Sequence, residues 1–152
     1  MKVVFLISSI ILSINISNAQ DCKSIVTRKK DNDTFISHEI VNKVSLTKAI
    51  IAKDTLYFVQ LQAPGNIMTD TPQGVTILLS GGEKLEFPDE NIQTERNDNA
   101  DGYTYSGTIK VSKYDFLRLG LYKIEAYKLY IFENILTDEQ GEKLKNFALC
   151  LF

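Results

Sequence analysis

Residues 136–152, LTDEQGEKLKNFALCLF, decide how the chain is built. Thr137 stands three positions before Gln140, the spacing of a capping box, and Leu144, Phe147, Ala148 and Leu151 recur at intervals of three and four. The stretch therefore predicts a capped helix with one apolar face, which needs a sheet to cover. It also carries Cys150, whose one possible partner, Cys22, lies near the opposite end of the chain.

Working outward from those two cysteines leads to the N-terminus. Lys2 gives a short positive region, Val3 to Ile16 is mostly apolar, and Ser17-Asn18-Ala19 supplies small residues before Gln20. These features predict an export signal over 1–19 and a single globular domain over 20–152. A retained anchor is the alternative, but the run is shorter than the ~18 residues a span needs and is interrupted by Ser8, Ser9, Ser13 and Asn15. A lipid-modified Cys22 is a second alternative, but Gln20 and Asp21 stand where a lipoprotein signal places small residues. The expectation is a periplasmic or secreted protein with no stable membrane insertion after cleavage.

Export sets how the cysteines are read, because paired thiols persist in oxidising compartments. Cys22 and Cys150 are expected to form a disulfide, with Cα atoms within about 4.4 to 6.8 Å. Two separate buried thiols are the alternative. Charge excludes one class of partner. Seventeen basic against 19 acidic residues give a formal charge of −2, and loss of Lys2 with the signal makes the chain more acidic. Nucleic acid is not an expected partner, since phosphate contacts need a basic surface larger than patches such as Arg28, Lys29 and Lys30.

The middle of the chain reads as antiparallel sheet. Cys22 to Lys30 and Asp33 to Ile40 are short polar strands around Asp31-Asn32-Asp33, followed by strands over Val44 to Ala52 and Asp54 to Ala63. The near-continuous apolar run Leu56, Tyr57, Phe58, Val59 and Leu61 predicts a central strand covered on both faces. Pro64 to Gln73 is expected to be a loop. Val75 to Leu79 and Lys84 to Phe87 form a hairpin about Gly81-Gly82, and Pro88 is expected to stop its second strand. Asp89 to Asp101 is a polar loop with a short edge strand around Ile92 to Glu95. Tyr103, Tyr105, Gly107, Ile109 and Val111 then alternate with polar residues, as a half-buried strand does.

Ser112 precedes Asp115 by three and Gly120 follows, so a short helix is expected with Gly120 as its stop. Tyr122, Ile124 and Ala126 alternate in one register and Tyr127, Leu129 and Ile131 in the other, which predicts a bulge or bend near Ala126. The expected fold class is α+β: an antiparallel sheet of about six to eight strands, a short helix and a C-terminal helix packed on the sheet.

The order of Gly81-Gly82-Glu83-Lys84-Leu85, a Tyr-x-Tyr strand, the helix from Ser112 to Leu119, a strand with Ile124, and a helix ending Phe147-Ala148-Leu149-Cys150-Leu151 resembles small secreted proteins of Bacteroidetes-type bacteria. The resemblance is one of layout. It implies a periplasmic or secreted location and carries over no catalytic residue. Asp54-Thr55-Leu56 is similar to the tripeptide that receives an O-linked glycan in such bacteria, while its plain reading is a turn entering a strand.

Motifs for common chemistries fail. His38 is the only histidine, so a histidine-built zinc site is excluded, and a lone histidine in a polar strand is expected at the surface. No Gly-x-Ser-x-Gly elbow exists for a serine triad. The run from Asn97 to Gly102 imitates a calcium loop but has Asn97 at its first ligand position and Thr108 at its twelfth, leaving Asp98 and Asp101 as a weak calcium candidate. Tyr103 and Tyr105 are candidate binding aromatics, with a core position beneath the terminal helix as the rival reading. No cofactor is expected. The leading expectation is a non-enzymatic interaction module for a protein, peptide or glycan; the alternative is a small hydrolase of envelope or host polymers with Asp or Glu as acid and base.

Overall fold

A computed structural model describes residues 22–97 and 102–152. Two two-residue turns and a five-residue connection (39–43) fold the first strands into a meander: β1 (Ile25–Lys30), β2 (Asp33–His38), β3 (Val44–Ile51) and β4 (Asp54–Gly65). The left-handed residues that such turns need are supplied by Asp31 (φ 55°) after β1 and by Ala52 and Lys53 (φ 49° and 80°) after β3. The hairpin β5 (Gln73–Leu79) and β6 (Lys84–Asn91) follows, then β7 (Gln93–Arg96), β8 (Tyr103–Val111), α1 (Lys113–Leu121), β9 (Ile124–Leu129), β10 (Phe132–Ile135) and α2 (Asp138–Leu151).

The expected α+β class holds, with the strands divided between two antiparallel sheets. One has six strands in the order β1-β2-β3-β4-β8-β7, the other four in the order β10-β9-β5-β6. Their inner faces meet at Gly107, where an added Cβ would lie 3.4 Å from Leu129 Cδ2 and 3.7 Å from Val75 Cγ2. Val59, Leu61 and Ile109 from the larger sheet and Ile77, Leu79 and Leu129 from the smaller are fully buried between them. The helices continue this core, α1 giving Phe116 and Leu119, and α2 giving Leu144, Phe147, Ala148 and Leu151.

The terminal helix is the predicted one. Thr137 Oγ1 accepts from the Gln140 N–H while Gln140 Oε1 accepts from the Thr137 N–H, closing the capping box. Cys150, in its last turn, is disulfide-bonded to Cys22, with the Cα atoms 5.8 Å apart. Near Ala126 the register moves from Leu78↔Ala126 to Leu79↔Ile124, so Glu125 is the extra residue of the expected bulge. A tight turn at Tyr130 (φ 56°) then separates β9 from β10.

Several expectations are corrected. Leu56 and Phe58 are only half-buried while Tyr57, Val59, Leu61 and Ala63 are buried, so β4 is covered on one face, not two. β4 also runs through Pro64 to Gly65, beyond the expected loop boundary. The Gln62 N–H points to Lys43 O on the β3 side, and by the two-residue period position 64 points the same way, past the end of β3. A missing N–H therefore costs nothing there. Pro88 likewise does not stop β6; it lies in the edge strand of its sheet, at the irregularity between Val75↔Phe87 and Gln73↔Asn91. Gly120 does not end α1. The helix passes through it, and its bare Cα lets α2 approach: an added Cβ would lie 2.8 Å from Leu149 Cδ2.

Candidate functional site

The uncovered face of β4 is where the molecule offers polar chemistry. Antiparallel register puts Ser45 beside Gln60, Gln60 beside Thr108, and Gln62 and Gln93 on either side of Ser106. Together with Lys43 and Ile40 these side chains line a groove of about 230 Å³. The local sequence explains it: Val59, Leu61 and Ala63 turn into the core, so the intervening Gln60 and Gln62 must point out.

This face is held from beneath. Buried Tyr127 on β9 donates its hydroxyl hydrogen to Gln62 O at 2.5 Å and accepts from Asn134 Nδ2 at 2.5 Å. Burial pushes the phenol's pKa above its usual value, so the hydroxyl stays a donor. Backbone position at Gln62 is thereby tied to the smaller sheet.

Further along β4 on the same face comes Phe58, paired with Lys110, and then Leu56. At that end of the strand a second groove, about 410 Å³, gathers Lys48, Lys110 and Lys113 around Thr55, Ser112 and Phe152. Lys48 Nζ donates to Phe152 O at 3.3 Å, and Lys113 Nζ lies 5.1 Å from the centroid of the Phe152 ring. No Asp or Glu side chain lines either groove.

Two carboxylates do share a third groove, of about 340 Å³, on the outer face of the smaller sheet. Glu86, Thr76, Lys128 and Glu133 occupy one cross-strand row in that order. Three strand spacings separate the backbones of the two glutamates by about 14 Å, and Lys128 stands between them. The row is a charge ladder and does not set one carboxyl against another across a bond.

The sequence candidates fall elsewhere. Tyr105 is fully buried, packed on the Phe132 ring at 4.5 Å and donating to Ile67 O, which removes it as an exposed binding aromatic. Tyr103 is half-buried against the same core. Asp98 and Asp101 lie outside the described residues, and among the described residues no group of three or more metal-binding side chains exists. Thr55 sits exposed at the start of β4, following the turn expected there.

His38 is buried, not on the surface. Only 4% exposed, it stacks on Phe147 at 4.1 Å between ring centroids. Its Nε2 accepts the Leu46 N–H at 3.0 Å, and Nδ1 faces Glu39 O. Leu46 is opposite His38 in the register continued from Ser37↔Thr47, so the imidazole completes the hydrogen bonding where β2 ends. Burial lowers its pKa from 6.5 to about 4, against the opposing influence of Glu39, which itself pairs with Lys143. The ring is neutral in the folded chain. Unfolding exposes a base that takes up a proton below pH 6.5, so this contribution is complete above pH 6.5 and is lost as pH falls toward 4. At most about 3 kcal/mol is involved. Urea midpoints measured from pH 7 to 4.5 should fall more steeply for the native chain than for His38→Gln; equal slopes would contradict this.

Comparison with protein-family models, with curated proteins and with solved structures gives no match. The chemistry of these surfaces therefore has to be read from the residues themselves. Sequence reasoning missed Gln60 and Gln62 because the run from Leu56 to Leu61 looked apolar throughout; the clue was the strict alternation that begins at Val59.

Proposed function

We propose that this is an exported, non-enzymatic binding module of the periplasm or cell exterior, which holds a polar ligand along the open face of β3, β4, β8 and β7. The observation that carries the reading is the convergence of amides and hydroxyls from four adjacent strands on one groove without a carboxylate. Such side chains both donate and accept, which suits recognition, whereas hydrolysis needs an acid and a base at the bond. A disulfide between the two ends of the domain supports an oxidising location, as do the export features of residues 1–19. No helix among the described residues is long and apolar enough to cross a membrane.

The test is binding of the domain to an array of oligosaccharides and extended peptides, with Gln60→Ala/Gln62→Ala alongside. Loss of two hydrogen-bonding side chains should weaken the best ligand about tenfold or more. Retention of full affinity by the double variant would overturn the assignment of the face, and binding by no array member would overturn the module.

A further inference from the structure

We infer that the ligand of this face is an uncharged saccharide chain, laid across β4 and β8 with its hydroxyl groups on Gln60, Gln62, Ser106 and Thr108 and the C–H face of a sugar ring against Ile40. The inference rests on the binding reading above and names its ligand class.

One wall of the groove is a fixed turn. Val41 and Val44 exchange backbone hydrogen bonds of 3.0 and 2.9 Å around Asn42 and Lys43, whose φ values of 43° and 65° are those of a tight hairpin turn. Val41 is buried at the foot of this turn, while the preceding Ile40 is 72% exposed on the rim of the groove. Three contacts tie the turn to the rest of the molecule. The Gln62 N–H donates to Lys43 O at 3.0 Å, Asn42 Nδ2 donates to Gln140 Oε1 at 3.3 Å, and the Tyr127 hydroxyl that holds Gln62 O also lies 3.3 Å from Asn42 O. The aliphatic wall and the backbone at Gln62 therefore share one support, and little ordering is left for a ligand to impose.

The lining selects among ligand classes. Ser45, Gln60 and Thr108 form one cross-strand row and Gln62, Ser106 and Gln93 the next, on four strands whose outer backbones are about 14 Å apart. Amide and hydroxyl groups both donate and accept, as a sugar hydroxyl does. Ile40 at the rim, and half-buried Phe58 two residues along β4 from Gln60 on the same face, are apolar surfaces from which the C–H groups of a sugar displace water. The lining contains no Asp or Glu and a single cation, Lys43; Lys110 stands opposite Phe58, one row beyond it. Hydrogen bonding, not charge, is what the groove offers. Peptide occupants fit less well. An added strand needs an unpaired edge, whereas β3, β4 and β8 are interior strands. A helix needs a continuous apolar groove, a proline-rich segment an aromatic-lined one, and an acidic motif a cluster of arginines, and the lining supplies none of these. At about 230 Å³ the groove is also smaller than the ~300 to 1,000 Å³ of sites that enclose a whole small molecule, which suits part of a longer chain.

The experiment is calorimetric titration of the disulfide-bonded domain with oligomers of glucose, mannose and N-acetylglucosamine, beside uncharged extended peptides of matching length. At least one of these neutral oligosaccharides should bind, and its affinity should change by less than about twofold between low and high salt. Ile40→Ser, at a position already in solvent, should weaken that binding about five- to tenfold by removing the apolar contact, with unchanged thermal unfolding as the control for folding. Peptide binding without saccharide binding overturns the inference and leaves the binding module standing. Saccharide binding that Ile40→Ser does not weaken, or that salt abolishes, overturns it too. Binding of no member takes both readings down.

Discussion

Replacing Cys22 and Cys150 by serine is expected to lower the unfolding free energy by about 4 to 5 kcal/mol, an upper figure because the unfolded chain retains some compactness. The two residues are 128 positions apart, so the bond closes nearly the whole described chain into one loop. Residues at both ends depend on it unequally. α2 is anchored by Leu144, Phe147 and Leu151, whereas β1 is an edge strand with only Ile25 even half-buried, held by its pairing to β2. Urea unfolding with and without reductant should reproduce the serine variant's loss, and thiol titration of the unreduced, denatured protein should find no free thiol. Two titratable thiols, or an unchanged midpoint on reduction, would refute the clasp.

The second large effect reverses sign against local propensity. Alanine is the better helix former by about 1 kcal/mol, so Gly141→Ala in the second turn of α2 would be expected to stabilise an isolated helix. In the folded chain an added Cβ would sit 2.6 Å from Ile124 O and 3.4 Å from Lys123 Cβ, and a backbone oxygen at the start of β9 cannot rotate away. The helix would have to lift off the strand, disturbing the packing of Leu144 and Phe147. We expect a net loss of about 2 to 3 kcal/mol in urea unfolding. Gly120→Ala is the comparison, since its Cβ would meet the end of the flexible Leu149 side chain, and its cost should be smaller. A Gly141→Ala protein as stable as the native chain would mean that α2 is not seated so closely.

These contrasts show what local sequence carries. The capping box at Thr137 and Gln140, the glycine hairpin and the slip at Ala126 are short-range features, and their physics is complete within a few residues. The disulfide was legible because two cysteines, read with an expected export signal, leave few alternatives. Gly120 was misread because a glycine that stops a helix and one that admits a neighbouring helix look alike until Leu149 is in place. His38 was misread because its burial depends on Phe147 and Leu46, brought to it from other elements. The division into two sheets followed from β4 choosing β8 and β5 choosing β9, pairings across long stretches that no local pattern encodes. The outer face of β4 was hidden for the same reason: half-buried Phe58 and Leu56 read as core until it is known which side of β4 faces the second sheet.

The clasp also imposes an order of events. Cys22 precedes the first strand and Cys150 lies in the last helical turn, so the bond cannot close until the whole span between them has been made and both thiols have met an oxidant. During that interval β1 has its hairpin partner but no covalent tether, and the Cys22 thiol remains open to exchange with any disulfide it meets. Oxidation therefore follows synthesis of the whole 22–150 span, and the Cys22–Cys150 bond is a chemical record that its two ends met.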